Sequence, residues 1–283
     1  MKKESKQHEV LRWASLFLEE HNREPRVAEL LLQHYMEVSR SEFYMRMHDP
    51  VPPAVISQFE AAVKKHAETG IPIQHLIGYE YFYGRKFRVN EHTLIPRPET
   101  EELVQQVIKS APATPHTIID IGTGSGIIAI TLALEIPHAT VYASDISDHA
   151  LTIARRNAES LNANVQFRQG DFLKPFHGEK ADIIVSNPPY ISRSEEKELS
   201  DTVKDFDPEL ALFAEDNGLA AYKKITAHLK NVSEPGAQVF FEIGHEQGDA
   251  VSSLIKREFP QSSIQIIQDI NKKDRIVKAE LKF

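Results

Sequence analysis

From Ile95 to the last residue, apolar runs of strand length alternate with amphipathic runs of helix length, and no other feature narrows the possible folds so far. TIIDI (117–121), ATVYAS (139–144), VQFRQGD (165–171), ADIIVSN (181–187) and AQVFFEIG (237–244) read as strands. GIIAITLALE (126–135), DHALTIARRNAESLN (148–162), NGLAAYKKITAHLKNV (217–232) and EQGDAVSSLIKREF (246–259) read as helices. Parallel strands need a long crossover, usually a helix. The alternation therefore predicts an α/β domain on a doubly wound, mostly parallel sheet. SIQIIQDI (263–270) and RIVKAELKF (275–283) follow one another without a helix, so an antiparallel last strand is expected.

The first part of the chain has a different period. Val10, Leu11, Trp13, Ala14, Phe17 and Leu18 recur at helical spacing. Pro25 suits the first turn of a second helix, with Leu30, Leu31, Tyr35 and Val38 as its apolar stripe, and residues 54–69 read as another helix closed by Gly70. GYEYFYGRKFRVN (78–90) alternates and turns at Gly84, the pattern of a β-hairpin. The expected division is a helical bundle domain over 1–76, a linking β-hairpin over 77–95, and the α/β domain over 96–283.

Bulk properties remove several function classes. The 283 residues suit one large domain plus a smaller one, and 41% hydrophobic with 26% charged residues is ordinary for a globular chain. No apolar run approaches the roughly 20 residues that span a bilayer. MKKESKQHEV carries charge with no apolar stretch behind it, unlike a secretory leader. The absence of cysteine excludes disulfides, thiolate metal sites and a cysteine nucleophile. A cytoplasmic location is expected. The formal net charge of -8 disfavours a long nucleic-acid partner, whose phosphates call for a basic surface.

The glycine-rich DIGTGSG (120–126) lies between the first strand and first helix of the α/β domain. Gly122, Gly124 and Gly126 allow a tight turn and a close backbone approach to a ligand, and open α/β sheets bind ligands at strand carboxyl ends. The spacing is neither GxGxxG nor GxxxxGK[ST], which disfavours a dinucleotide or a nucleoside triphosphate. Asp145 ends the next strand, where a carboxylate can accept from both ribose hydroxyls. After the third strand, Asp171 is placed to meet an adenine amino group and Phe172 to cover the ring. Each of these alone equally describes a tight turn or a helix cap. Together Gly122, Thr123, Gly124, Ser125, Gly126, Asp145, Asp171 and Phe172 describe an adenosine pocket without phosphates, and S-adenosylmethionine fits it. The many histidines form no metal-binding spacing such as HExxH, and no metal is expected.

NPPY (187–190) follows ADIIVS at a strand's carboxyl end, on the same sheet edge as the glycine loop. Pro188 and Pro189 remove two N–H donors and fix φ, and Pro188 holds Asn187 extended. The result is a stiff corner with free acceptors. An amide or aromatic amine nitrogen is a poor nucleophile because its lone pair is delocalised. If the Asn187 side-chain oxygen and the Pro188 carbonyl each accept one of its N–H groups, the lone pair turns toward a donor methyl. Preorganisation then carries the reaction without a strong base. Packing of Tyr190 on the planar substrate adds a cation–π effect of about 0.5–2 kcal/mol. Asn187, Pro188, Pro189 and Tyr190 are the candidate catalytic residues; read in isolation, NPPY is only a rigid loop exit.

The chain resembles the HemK-type release-factor glutamine methyltransferases, of the Rossmann-like class I S-adenosylmethionine-dependent fold. The likeness lies in IQHLIG (73–78), LIPRPETEELV (94–104), DIGTGSGIIAI (120–130), ADIIVSNPPYIS (181–192), FEIGHEQG (241–248) and DINKKDRIV (269–277). NPPY is shared with enzymes that methylate amino groups of adenine or cytosine in nucleic acids, which leaves that activity as an alternative. LIPRPETE together with an N-terminal helical domain is more specific. The resemblance implies that the glutamine of the GGQ motif in class I peptide chain release factors is methylated on N5. It also implies that Asn187 touches both cofactor and substrate and that the helical domain helps to recognise that partner; neither a membrane nor a nucleic acid is expected as a partner. FDPELAL, AEDNG (214–218) and His75 depart from the usual pattern on the substrate side.

For Arg97 and Glu99, a gating role and a surface ion pair stand level. Glu101 and Glu102 suit a helix N-terminus, and Asp201, Asp205, Asp207 and Glu209 read as a solvated acidic face, with contact to a basic partner as the weaker alternative.

Overall fold

Residues up to Gly78 together with Ser200–Phe206 form one unit, and Tyr79–Leu199 with Asp207–Phe283 form the other. The computed structural model describes residues 5–283. The leader reading of the first residues falls partly on 1–4, outside the described residues, as does the Asp201 side chain.

The first unit holds α1 (Gln7–Glu20), α2 (Arg26–Met36), α3 (Arg40–Met45), α4 (Pro53–Thr69) and α5 (Ile73–Ile77). Val10, Ala14 and Leu18, four residues apart on one face of α1, are fully buried against Ala28, Leu31 and Leu32 of α2 and Phe59 and Val63 of α4. The stripe on α2 therefore runs 28, 31, 32, 35. Leu30, expected in that stripe, is among the exposed apolar residues instead. Gly70 ends α4 in the left-handed conformation.

In the second unit β1 (Tyr79–Phe82) and β2 (Arg85–Arg88) form a separate antiparallel hairpin. Then come α6 (Pro98–Ser110), β3 (His116–Ile121), α7 (Ile127–Glu135), β4 (Ala139–Asp145), α8 (Asp148–Leu161), β5 (Val165–Gln169) and β6 (Ala181–Ser186). Three short helices, α9 (Asp201–Phe206), α10 (Glu209–Leu212) and α11 (Glu215–Gly218), fill a stretch that the sequence pattern left blank, α9 clustering with the first unit. The chain closes with α12 (Ala220–Val232), β7 (Ser233–Glu242), α13 (Gly248–Glu258), β8 (Ser263–Gln268) and β9 (Asp274–Glu280). Seven strands order as β5-β4-β3-β6-β7-β9-β8. Those from β5 to β7 pair parallel, and β9 runs antiparallel to both neighbours.

The central strands feed two cores. On β3, Ile119 and Ile121 join a cluster with Tyr222, Ile225 and Leu229 of α12 and Val251 and Ile255 of α13. Ile118 joins the opposite cluster, with Leu103, Val104 and Val107 of α6, Ile128 and Leu132 of α7, and the hairpin's Phe82 and Phe87. Burial on both faces explains why these strands read as unbroken apolar runs.

Candidate active site

Strand register lines up the candidate residues. Ile121 of β3 lies opposite Ser144 of β4 and Ser186 of β6, and Ser186 lies opposite Phe241 of β7. The next residue on each strand stands at the same sheet edge: Asp145, Gly122, Asn187 and Glu242. The chain runs outward from β3 through β4 to β5, then resumes at β6 on the other side of β3. Gly122 and Asn187 therefore flank the point where the winding reverses, the usual place for a ligand in an open sheet. The Ser186 hydroxyl donates to the Ile121 carbonyl at 2.7 Å and ties the two ends together.

The glycine loop is anchored through its backbone. Gly122 and Thr123 N–H donate to the Ser144 carbonyl at 2.8 and 2.9 Å, and Gly124 N–H donates to Asp145 Oδ2 at 2.8 Å. Asp145 Oδ1 accepts from Ser147 N–H at 2.9 Å. Burial raises the Asp145 carboxyl above its ordinary range, and the Ser147 and Gly124 N–H groups oppose this. Gly122 and Gly124 have φ of +70° and +56°, and a Cβ on either would meet nothing within 4 Å. Their bare backbone thus borders open space and needs no side chain removed for packing, as a ligand cradle requires. The loop also carries no basic residue, which suits a phosphate-free adenosine compound. Gly126 serves packing: a Cβ there would lie 2.7 Å from Ile130 Cδ1.

Thr123 turns inward, its hydroxyl donating to Asp120 Oδ2 at 2.6 Å, and Asp120 also accepts Ala129 N–H at 3.2 Å. Complete burial pushes Asp120 up to about 7 against those two bonds. Ser125 Oγ is buried and has no hydrogen-bond partner among the described residues. The Gly170-Asp171-Phe172 turn reaches the same edge because Gly170 N–H donates to the Asp145 carbonyl at 2.9 Å and Ser144 Oγ donates to the Phe172 carbonyl at 2.8 Å. The Asp171 carboxylate is engaged by Lys174 at 2.6 Å, and the half-buried Phe172 packs on the α12–α13 core.

At the NPPY corner, Asn187 Nδ2 donates to Thr100 Oγ1 at 3.2 Å, and that hydroxyl donates to Glu242 Oε2 at 2.8 Å. Among the described residues neither Asn187 Oδ1 nor the Pro188 carbonyl has a hydrogen-bond partner. Glu242 is fully buried; burial pushes its carboxyl up to about 7, against hydrogen bonds from Thr100 and Asn187 and the charge of Arg275. Burial likewise pushes the Tyr190 phenol up to about 12, so the ring stays neutral. The Tyr190 carbonyl accepts Gln247 Nε2 at 2.9 Å. Behind it sits Gly218, whose added Cβ would lie 2.0 Å from that carbonyl oxygen. Ile191 N–H donates to Leu212 O, and Ala214 N–H to Ile191 O, so the AEDNG stretch clamps the exit of the corner.

Three residues escaped the sequence reading. Glu242 was signalled only as a carboxylate closing the apolar run VFFE, and Thr100 only as a small polar residue between glutamates. Asn157 of α8 accepts Arg88 N–H at 2.8 Å and donates to Arg88 O and Ser125 O at 3.1 and 2.8 Å, joining hairpin, helix and loop. The reading of Asp207 as part of a solvated face is corrected: its side chain is 1% exposed and pairs with Arg97 at 2.7 Å. Arg97 thus has a buried acidic partner, and the pair is only half at the surface, with removal of Arg97 leaving a buried carboxylate uncompensated. Glu101 accepts Tyr83 N–H and Glu102 accepts Ile270 N–H, so both pin neighbouring segments besides opening α6.

A glycine loop and an Asn-Pro-Pro-Tyr corner that meet where a mostly parallel sheet reverses its winding are the layout of a class I S-adenosylmethionine-dependent methyltransferase. Residues 99–206 match the methyltransferase small domain, and a methyltransferase of Pyrococcus furiosus shares the fold at a TM-score of 0.53 and 18% identity, over 80% of this chain and 98% of that one. Residues 9–78 match the PrmC N-terminal domain. The release factor glutamine methyltransferase of Bacillus cereus is 44% identical over 280 residues, 97% of this chain and 99% of the relative. That of Bacillus subtilis is 45% identical over 276 residues, 95% of this chain and 96% of the relative. The chain belongs to the release factor glutamine methyltransferase family.

Proposed function

We propose that this chain transfers a methyl group from S-adenosylmethionine to the side-chain amide nitrogen of the GGQ glutamine in class I peptide chain release factors. The observation that carries the reading is the placement of Asn187, its Oδ1 uncommitted, beside the open glycine loop across the reversal of the sheet. S-adenosylmethionine supplies an electrophilic sulfonium methyl when bound. Gly122, Gly124 and Asp145 would hold it and Asp171 and Phe172 would meet its adenine, while Thr123 and Ser125 shape the loop.

Asn187 Oδ1 and the Pro188 carbonyl accept the two N–H groups of the glutamine amide. Pro189 keeps the corner stiff, and Tyr190 packs on the amide plane as positive charge develops. No base is needed before attack, because the proton is lost only after nitrogen has gained the methyl. Methylation of adenine or cytosine in nucleic acid is not favoured, since the chain also matches the PrmC N-terminal domain. We further assign recognition of the release factor to the helical unit, and a cytoplasmic site of action follows from such a partner; among the described residues no helix is long and apolar enough to cross a membrane.

Incubation with isotope-labelled S-adenosylmethionine and a purified release factor, followed by peptide mass spectrometry, tests this. One labelled methyl on the GGQ glutamine is the expected result. Label on another residue, or only on added nucleic acid with a steep salt dependence, would overturn it.

A further inference from the structure

The Asn187 amide has two ends of similar shape, and only one is useful for holding N–H groups. Its orientation is set by hydrogen bonds that run along the buried side of the sheet edge to Thr100 and Glu242. Asn187 Nδ2 reaches Thr100 Oγ1 at 3.2 Å, and Thr100 Oγ1 reaches Glu242 Oε2 at 2.8 Å. An ionised carboxylate can only accept. The single Thr100 hydroxyl hydrogen must then point at Glu242, which leaves a lone pair facing Asn187. That lone pair can be met only by the NH₂ end of the amide, and the oxygen end is left outward. We infer that Thr100 and Glu242 are positioning residues that use the carboxylate's negative charge to hold Asn187 with its oxygen toward the substrate amide. This rests on the proposed role of Asn187.

A proton on Glu242 removes the constraint. The carboxyl group then becomes a donor to Thr100 Oγ1, the Thr100 hydrogen is released toward Asn187, and the amide gains an equally good hydrogen bond with its oxygen turned inward. Transfer should therefore slow when Glu242 is protonated, because the amide is no longer held in one orientation. The surroundings hold that carboxyl near the range where this matters: burial raises it to about 7, with Thr100, Arg275 and Asn187 opposing and the like charge of Glu99 adding. Tyr190 also senses it from the NPPY corner, and Tyr222 of α12 bonds its backbone carbonyl at 2.6 Å. The sign is fixed: activity is present above the Glu242 pKa and falls as the pH drops through it. Thr100 is 1% exposed and Glu242 2%, so solvent does not short-circuit the chain.

The test is the pH profile of kcat for release factor methylation by the full-length chain between about pH 5.5 and 9. Wild type should show an acidic limb near neutrality. Thr100→Ser keeps the hydroxyl, so it should keep the limb and stay within about threefold of wild type. Thr100→Val should lower kcat about 10- to 100-fold, with KM and S-adenosylmethionine affinity changed little, and should weaken the limb. Glu242→Gln keeps an acceptor for Thr100 but cannot ionise, and should give a profile flat across the limb. A limb that persists in Glu242→Gln, or Thr100→Val acting at wild-type rate, would overturn the inference. If Thr100→Val fails to fold, the Glu242→Gln profile decides alone. Asn187→Ala separates the two failures: if it is inactive while Thr100→Val is not, only the positioning role falls, and if it is active, the role of Asn187 falls too.

Discussion

A carboxyl group sealed from water is costly to ionise, and burial raises both Asp120 and Glu242, near one edge of the sheet of the α/β unit. Both titrate at about 7 in the folded protein, above their ordinary values of 3.8 and 4.5. A raised folded pKa stabilises below the unfolded pKa, and that stability is lost as pH rises through the folded one. Unfolding free energies at pH 5 and pH 8 should therefore show less stability at pH 8 in wild type, and Glu242→Gln should reduce the difference; an unchanged difference in that variant would contradict the assignment of Glu242. Asn157, fully buried with three hydrogen bonds to the hairpin and the glycine loop, makes a second residue-scale prediction. Asn157→Ala leaves buried partners unpaired at a cost of about 1–3 kcal/mol, read as a shifted urea midpoint, and should weaken S-adenosylmethionine binding because Ser125 loses its anchor.

At the scale of elements, the site is two loops held by different means. The glycine loop is held from one side by β4 and open on the other, so Gly124→Val should bring little steric clash. Its left-handed φ costs stability by about 1–2 kcal/mol, yet calorimetry should show the loss of S-adenosylmethionine affinity exceeding that. The NPPY corner is held from behind, and Gly218→Ala should disturb it through the Tyr190 carbonyl, lowering transfer far more than cofactor binding; equal losses in both would speak against that route. These loops differ in how far the sequence revealed them. The positions of DIGTGSG and NPPY follow from periodicity, because each sits where an apolar strand run stops. Strand order does not, and with it the meeting of β3 and β6 that brings the loops together. The stretch from Ser192 to Gly218 was illegible because its helices are short and one turn relies on left-handed Asp216 and Asn217. Asp207 looked solvated because an acidic run is usually exposed, and only the distant Arg97 gives it a reason to be buried. Thr100 and Glu242 were invisible as a pair, being 142 positions apart.

At the scale of the whole molecule, a helical unit and an α/β unit each carry a core of their own. Ligand binding should then register locally. Hydrogen exchange with and without S-adenosylmethionine should show added protection at residues 120–126, 143–147 and 170–172, and little change along α1, α2 and α4; protection spread evenly over both units would contradict a cofactor site confined to the sheet edge.

Methyl transfer by this site turns on Asn187 acting on the substrate amide rather than merely closing a strand. Single-turnover transfer to a release factor by Asn187→Ala, with S-adenosylmethionine affinity measured alongside, tests this most directly. The predicted result is a rate lower by at least about 100-fold with affinity for the cofactor largely kept. A rate within a few-fold of wild type, at equal cofactor occupancy, would contradict it.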